Sequence, residues 1–269
     1  MIGRYSVSNL PSVWFDGSYR VLGCLPPPLA FYSMFPHFGA TIPETSWVEI
    51  DLQHYNIPIL DQGMTSSCVG QGCCAGMELS TVQSGRKLTE FNPYFVYGLI
   101  NNGQDRGASI SEAMMALQQK GICLKEDLPS GVMFKNQFPQ KAFQNAMDWQ
   151  LQQCFRCASY NSICSALSQG FCVPLGVMVG ANFSQVDGEG VAPLPNGGGG
   201  GHCMLGMGLK KSTRYGWLIK IQNSWGTRFG MNGHCYLRKE HFDSQVDAFA
   251  IQVVEDAHNS PDDPPVVLS

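Results

Sequence analysis

The sequence predicts an α+β protein in which a mostly helical half precedes a mostly β half. Three observations carry this. Between about residues 60 and 153, apolar residues recur at helical spacing and helix start and stop signals are frequent. From about residue 154 to 255, apolar residues fall instead into short alternating runs. Finally, residue types able to act on one reactive centre are divided between the halves, with Cys68 in the first and His202 and Asn223 in the second.

Residues 1–40 form an arm rich in Pro, aromatics and Gly, including Pro26-Pro27-Pro28. No helical or strand period is evident, so the arm is expected to lie against the domain or a partner. The short alternating piece Trp47-Val48-Glu49-Ile50-Asp51-Leu52 reads as a strand that leads into a small, polar, glycine-rich loop. A helix is expected from Cys68 to about Ser84, with Val69, Cys73 and Met77 on one stripe and Gly85 as the stop.

Asn92-Pro93 starts the next helix, because Pro is tolerated at the first helical position. Ser109 with Glu112 three residues on is a capping-box pattern for a third, with Ile110, Met114 and Leu117 as its apolar stripe. Gln140 to Gln153 reads as a further helix. In the second half, Ser162 to Gln169 reads as a short helix and Phe171 to Gly180 as a strand. Asn182 to Gly201 reads as a long loop. Cys203 to Leu209, Tyr215 to Gln222, Cys235 to Arg238 and Ala248 to Val254 complete the strands. Residues 256–269 form a polar, Pro-rich tail, and the main domain spans 41–255.

The start of the first long helix carries the chemistry. A thiol at a helix N-terminus faces unpaired N–H groups and the positive end of the helix dipole, and both favour thiolate. Gly72, one turn on, is expected to leave space above the sulfur. Cysteine is also a small hydrophobe, and Cys73 and Cys74 are read as core. A cysteine nucleophile needs a base and the base needs an orienting group. His202 follows five glycines, and Asn223 precedes Ser-Trp-Gly. They lie about 130 and 155 residues beyond Cys68, close to the known separation of such a set.

Taken together these stretches resemble the papain-like cysteine peptidases, in the style of compact bacterial and phage-encoded members. The stretch DQGMTSSCVGQGCCAG resembles the nucleophile loop, with Gln62 where the family has its oxyanion-hole glutamine. Asn223-Ser-Trp-Gly-Thr-Arg-Phe-Gly-Met-Asn-Gly233 resembles the run after the orienting asparagine, with Phe229 in place of a second Trp. Gly107 to Cys123 resembles the helix after the substrate-binding Gly-Gly, with Ala108 at the second glycine.

The resemblance implies a two-lobe fold whose second lobe is β-barrel-like. It further implies hydrolysis of peptide bonds through a thioester, with catalytic residues Cys68, His202, Asn223 and Gln62. Ser67, Gly107, Ala108 and Trp225 would line the substrate cleft, with Trp225 covering the His202–Asn223 contact from water. No cofactor and no metal are implied, and the partner is a protein or peptide substrate. The departures are Val69 after the nucleophile, Thr65 in place of a disulfide cysteine, Ala108, and Cys203 after the histidine. None removes a catalytic group. His234 is assigned no role.

Composition bounds the alternatives. The 269 residues, 44% hydrophobic, suffice for one large domain or two lobes. A net charge of −4 without a basic run argues against nucleic acid. No apolar run is long enough to span a membrane, and the first residues hold no continuous apolar stretch of a secretory signal. Eleven cysteines, an odd number, suggest a mostly reduced chain, cytoplasmic or packed into an assembly such as a virion.

The arm is shorter than the inhibitory prosegments of such relatives and lacks their charged helical pattern; a simple contact role is the expectation for it, with covering of the cleft as the less favoured alternative. A competing class is a structural or binding subunit of an assembly that keeps the fold, contacting partners through the arm and the tail. An amidase, isopeptidase or transpeptidase is a second enzymatic alternative.

Overall fold

A computed structural model describes residues 10–129 and 131–253. The 256–269 tail lies outside the described residues. The chain begins with a hairpin, β1 (Ser12–Phe15) and β2 (Ser18–Val21), where the sequence suggested no period. Asp16 and Gly17 both take positive φ, 52° and 80°, as a two-residue turn between twisted strands requires. Asp-Gly between Ser-Val-Trp-Phe and Ser-Tyr-Arg-Val is the local signal for this turn.

Only β3 (Ile50–Asp51) of the expected strand at 47–52 forms, paired with a later strand and flanked by single turns of 3-10 helix. Trp47 turns inward, edge-on to Tyr160 and Trp217.

Helix α1 (Cys68–Gln83) starts at the cysteine, as expected, and is buried from Cys68 to Thr81. It can be central because its small residues admit close neighbours. A Cβ at Gly72 would lie 2.8 Å from Cys203 Sγ. The space expected above the sulfur is therefore taken by the residue after His202.

Helix α2 (Pro93–Ile100) is capped by the Asn92 side chain, and α3 (Ile110–Lys120) by the full Ser109/Glu112 box. Helix α4 (Gln140–Ala146) ends early, and the chain beyond it runs extended past α3, with Ile122 N–H on Trp149 O and Leu151 N–H on Leu117 O.

The second half is a sheet of β4 (Gln153–Arg156), β5 (Val173–Val179), β6 (Gly200–Ser212), β7 (Gly216–Gln222), β8 (His234–Arg238) and β9 (Gln245–Gln252), with helix α5 (Tyr160–Ser168) against it. The strand order is β4-β9-β5-β6-β7-β8, with β3 on β6. The sheet is an open one and not a closed barrel, which corrects the barrel-like expectation for this lobe.

One apolar core joins α1, α2 and α3 to the sheet, through Leu79, Met114, Leu205 and Ile251 among others. A second fills the far side of the sheet around Ile163, Val177, Ile219 and Trp225. Among the described residues no helix is long and apolar enough to cross a membrane.

Candidate functional site

The loop before α1 belongs in sequence to the helical half but is stitched to the β half. Gln62 N–H donates to Ser224 O and Gly226 N–H to Leu60 O, at 2.9 and 3.0 Å. This places Gln62 beside the segment that follows β7. Its side chain is fully buried and oriented at both ends. The oxygen accepts from Ser224 Oγ at 3.1 Å and Trp225 Nε1 at 3.3 Å. The amide nitrogen faces the other way, towards Val21 O and Thr65 O at 2.9 and 2.8 Å.

His202 lies within β6, opposite Val177 of β5, and not in a loop before a strand. Asn223 follows β7, the neighbour of β6, so the antiparallel pairing brings the two side chains together. His202 Nε2 is 2.8 Å from Asn223 Oδ1. That oxygen also accepts the Ser224 amide N–H at 2.9 Å, which identifies it as the oxygen. Nε2 therefore carries the ring proton, and in the neutral imidazole Nδ1 holds the lone pair. Nδ1 has no hydrogen-bond partner among the described residues and is buried. Trp225 packs on the ring with centroids 5.1 Å apart, and Phe183 meets it edge-on at 6.0 Å.

Cys68 Sγ lies at the first residue of α1, facing the amide N–H groups of Cys203, Gly23 and Val69. The thiol is thus beside the residue that follows His202. Burial pushes it up to about 11 even so, with the three N–H groups acting in the opposite direction. Burial also pushes His202 down to about 4, with the Asn223 hydrogen bond opposing. The covered site holds thiol and neutral imidazole. Burial thus works against the thiolate that the helix N-terminus alone would favour.

The cover is the arm. Leu22 N–H bonds Pro11 O, and Cys24 N–H bonds Gly201 O next to His202. Ala108 N–H bonds Gly23 O, and Leu25 N–H bonds Ala108 O. Ala108 therefore bonds an extended backbone through both its N–H and its carbonyl, and that backbone is the chain's own, while Gly107 lies close against it, where a Cβ would fall 2.4 Å from Gly23 O. Gly107 is held at φ +83° by Ser66 Oγ and Tyr97 OH, both bonded to Asp105. Ser67 points elsewhere, with its hydroxyl 2.7 Å from Thr65 Oγ1 and 3.2 Å from Gln71 Nε2. The arm residues at the site, Val21 to Leu25, were missed by the sequence reading. The Asp16-Gly17 turn was the signal that would have shown the arm to be structured.

All eleven cysteines are free thiols. Among the described residues no group of three or more His, Cys, Asp or Glu is placed to hold a metal ion.

No family model and no curated protein sequence matches the chain. Solved structures do. Xylellain, a cysteine protease from Xylella fastidiosa, aligns with TM-score 0.73 and 18% identity, over 90% of this chain and all of that one. Procathepsin B S9 from Trypanosoma congolense gives 0.62 and 13%, over 90% and 86%. Bromelain from Ananas comosus, in complex with the E64 inhibitor, gives 0.61 and 18%, over 80% and 100%. The chain has the fold of the papain-like cysteine proteases.

Proposed function

We propose that the chain is a cysteine peptidase that cuts peptide bonds through a thioester on Cys68. The observation that carries this is the His202–Asn223 hydrogen bond, covered by Trp225, which leaves a buried Nδ1 without a hydrogen-bond partner on the residue before Cys203, whose amide N–H faces Cys68 Sγ. Buried polar atoms are mostly hydrogen-bonded, so an open lone pair on this ring is a place for a proton to go.

In the reaction proposed, His202 Nδ1 takes the Cys68 proton and Sγ attacks the peptide carbonyl carbon. The carbonyl π pair moves onto oxygen, held by Gln62 Nε2–H and the Cys68 backbone N–H. Each such donor is typically worth about 2.7–4 kcal/mol of barrier. The C–N bond then breaks, with His202 returning its proton to the leaving amine. Water, deprotonated by the same imidazole, attacks the thioester carbonyl and releases the acid. Asn223 fixes the ring through its bond to Nε2–H throughout. The fold shared with xylellain and bromelain, described as proteases, supports this reading.

The test is incubation with unfolded protein and peptide mixtures, products being mapped by mass spectrometry. Cleavage is expected from the chain or from Gly23→Ala, in which the added methyl would fall 2.1 Å from Ser66 O and open the arm, and it should be abolished by Cys68→Ala and His202→Ala. Cleavage that survives either active-site substitution, or none from any form, overturns the proposal. Transfer of the acyl group to an amine in place of water would mark a transpeptidase instead.

One observation favours the second reading, a papain-like subunit serving as structure: Cys68, His202 and Gln62 are all fully buried. The arm accounts for that burial equally well.

A further inference from the structure

We propose that the recess around His234 is a binding site for a primary carboxamide, a small neutral group with two N–H donors and one carbonyl. The inference goes beyond the peptidase reading and stands without it.

The recess lies where the end of β7 and the start of β8 meet the single 3-10 turn Leu52–Tyr55 and the chain after it. Gln222 and His234 are paired directly across the two strands, so their side chains share one face. Gly233, at φ +87°, leads into β8 against Ile59, where a Cβ would fall 2.6 Å from the isoleucine side chain. The same turn sets Asn232 at φ 52° and brings its carbonyl to the ring of His234. The space enclosed is about 120 Å³, several times what one water needs.

His234 is what calls for an occupant. The residue is 2% exposed, and its Nε2 is buried with no hydrogen-bond partner among the described residues. Nδ1 lies 2.9 Å from Asn232 O. A carbonyl only accepts, so Nδ1 carries the proton and Nε2 holds the lone pair. Burial pushes the ring below its ordinary pKa, and the Lys220 ammonium acts in the same direction, against the Asn232 and Met231 carbonyls and Asp51. The imidazole is therefore a neutral acceptor. Buried polar atoms are mostly paired, and this one awaits a donor.

The other walls say which donor. Gln222 gives its amide N–H to Pro58 O at 2.8 Å, and Asn56 gives its own to His54 O at 3.1 Å, so each keeps its oxygen as an acceptor. Gln53 is oriented the other way. Its oxygen accepts Lys220 Nζ, which leaves its NH₂ as a donor. Ile57, Ile59 and Met207 supply apolar surface, and Asn232 adds an amide at the exposed rim. A cation is disfavoured by Lys220, whose Nζ sits on Gln53 and Asp51. An anion would face the His234 lone pair and the amide oxygens. A carboxamide brings two N–H groups for the acceptors, a carbonyl for Gln53 and an alkyl stem for the isoleucines. Two sources present this group, a free small amide and a glutamine side chain in a peptide, and the experiment separates them.

The experiment is NMR of the full chain with isotope-labelled histidine side chains, titrated with acetamide. The His234 Nε2 resonance should move in a saturable way, with a dissociation constant on the order of millimolar for so small a ligand. Propionamide, with one more methylene for the apolar wall, should bind about fourfold tighter. Methyl acetate, similar in shape but without N–H donors, should not bind. Asn56→Gly removes one acceptor at a residue whose φ of 52° suits glycine, so the fold is kept. It should weaken acetamide about fivefold. His234→Phe removes the ring lone pair and should weaken it about tenfold, read from the ligand's own signals.

An Nε2 resonance that acetamide leaves unmoved overturns the proposal, whether the recess holds only water or zinc ion moves the resonance instead. Methyl acetate binding as well as acetamide overturns it too, as does unchanged acetamide affinity in either folded variant. Should His234→Phe not fold, Asn56→Gly decides. An end-blocked Gly-Gln-Gly peptide that binds at least as tightly as propionamide assigns the site to peptide glutamines, and a weaker one assigns it to free amides. No readout involves cleavage, so this proposal and the peptidase reading fail separately.

Discussion

Trp225 donates its indole N–H to the side-chain oxygen of Gln62 across 3.3 Å, while its ring lies on His202. One residue therefore serves both halves of the proposed chemistry. It shields the base from water, and it fixes which end of the Gln62 amide faces the cleft.

Trp225→Phe keeps an aromatic ring over His202 but removes the N–H. A neutral hydrogen bond contributes about 0.5–1.5 kcal/mol, so kcat in the arm-opened chain should fall roughly two- to tenfold with KM little changed. Gln62→Ala, which removes the donor itself, should lower kcat by about 10²–10³. Steady-state kinetics on a peptide substrate check both, and the order Gln62→Ala worse than Trp225→Phe is the informative result.

Asn223→Ala frees the imidazole to turn. Misplacement of a reacting group by about 1 Å typically costs on the order of 10²-fold, and the loss should fall on kcat. Asn223→Asp restores an acceptor for Nε2–H and sets a negative charge beside the ring, which raises the imidazolium pKa. Its pH–rate profile should regain height, with the acid limb moved to higher pH than in the native chain, because the imidazole must be neutral to take the thiol proton.

Glu78 lies fully buried in α1, accepting the Phe91 amide N–H at 3.1 Å beside the Cys74 thiol, with its second carboxyl oxygen unpaired. Burial pushes its carboxyl up to about 8. With the folded-state pKa above the unfolded one, the native state binds the proton more tightly. That stability is present in full below about pH 4.5 and is lost as pH rises through about 8. Glu78→Gln keeps an acceptor for Phe91 and does not titrate. Urea unfolding should show little difference at pH 5 and a gain for the variant by pH 9, on the order of 3–5 kcal/mol at about 1.4 kcal/mol per pH unit.

Arg156 Nε holds Asp247 Oδ1 at 3.1 Å, with Ser111 on the other carboxylate oxygen. Asp247 is completely inaccessible and Arg156 only slightly exposed. Arg156→Ala leaves a buried carboxylate without its cation, at a cost of roughly 3–5 kcal/mol. Arg156→Met combined with Asp247→Asn should recover much of it. A loss below about 1 kcal/mol in the single variant would mean the pair is wetter than it looks.

What the sequence disclosed was set by how local each signal is. The Ser109/Glu112 box, the Asn92-Pro93 start and the Cys68 helix start are written within a few residues, and all three formed as read. His202 and Asn223 were legible because the residue types, order and spacing of such a pair are restricted.

The length of β6 was not legible. Gly200, Gly201, Gly206 and Gly208 interrupt the alternation that marks a strand, and they are there because other atoms pass close to them. The end of α4 at Ala146 was hidden for a related reason, since it depends on α3 capturing the chain at Leu117 and Ile122. The arm's place in the cleft was the least legible of all. It rests on contacts from Val21, Gly23 and Leu25 to Gln62, Ser66 and Ala108, which only the folded chain brings together.

The short connection between the β1–β2 hairpin and the residues that cover the site, 22–25, sets a threshold for anything that would displace them. A segment tethered this closely competes at an effective concentration in the millimolar range. A peptide free at micromolar level meets a rival about a thousandfold more abundant, however modest each arm contact is. Occupancy then depends on the anchors as a graded setting: each 1.4 kcal/mol taken from them lowers the threshold tenfold. The Arg228–Asp16 pair, whose arginine is mostly exposed, is a fine adjustment, whereas Phe15 against Trp225 and Phe229 sets the scale. If the site cuts peptides as proposed, the substrate concentration at which it responds is set outside the cleft, in how firmly a two-strand ribbon grips the far side of the sheet.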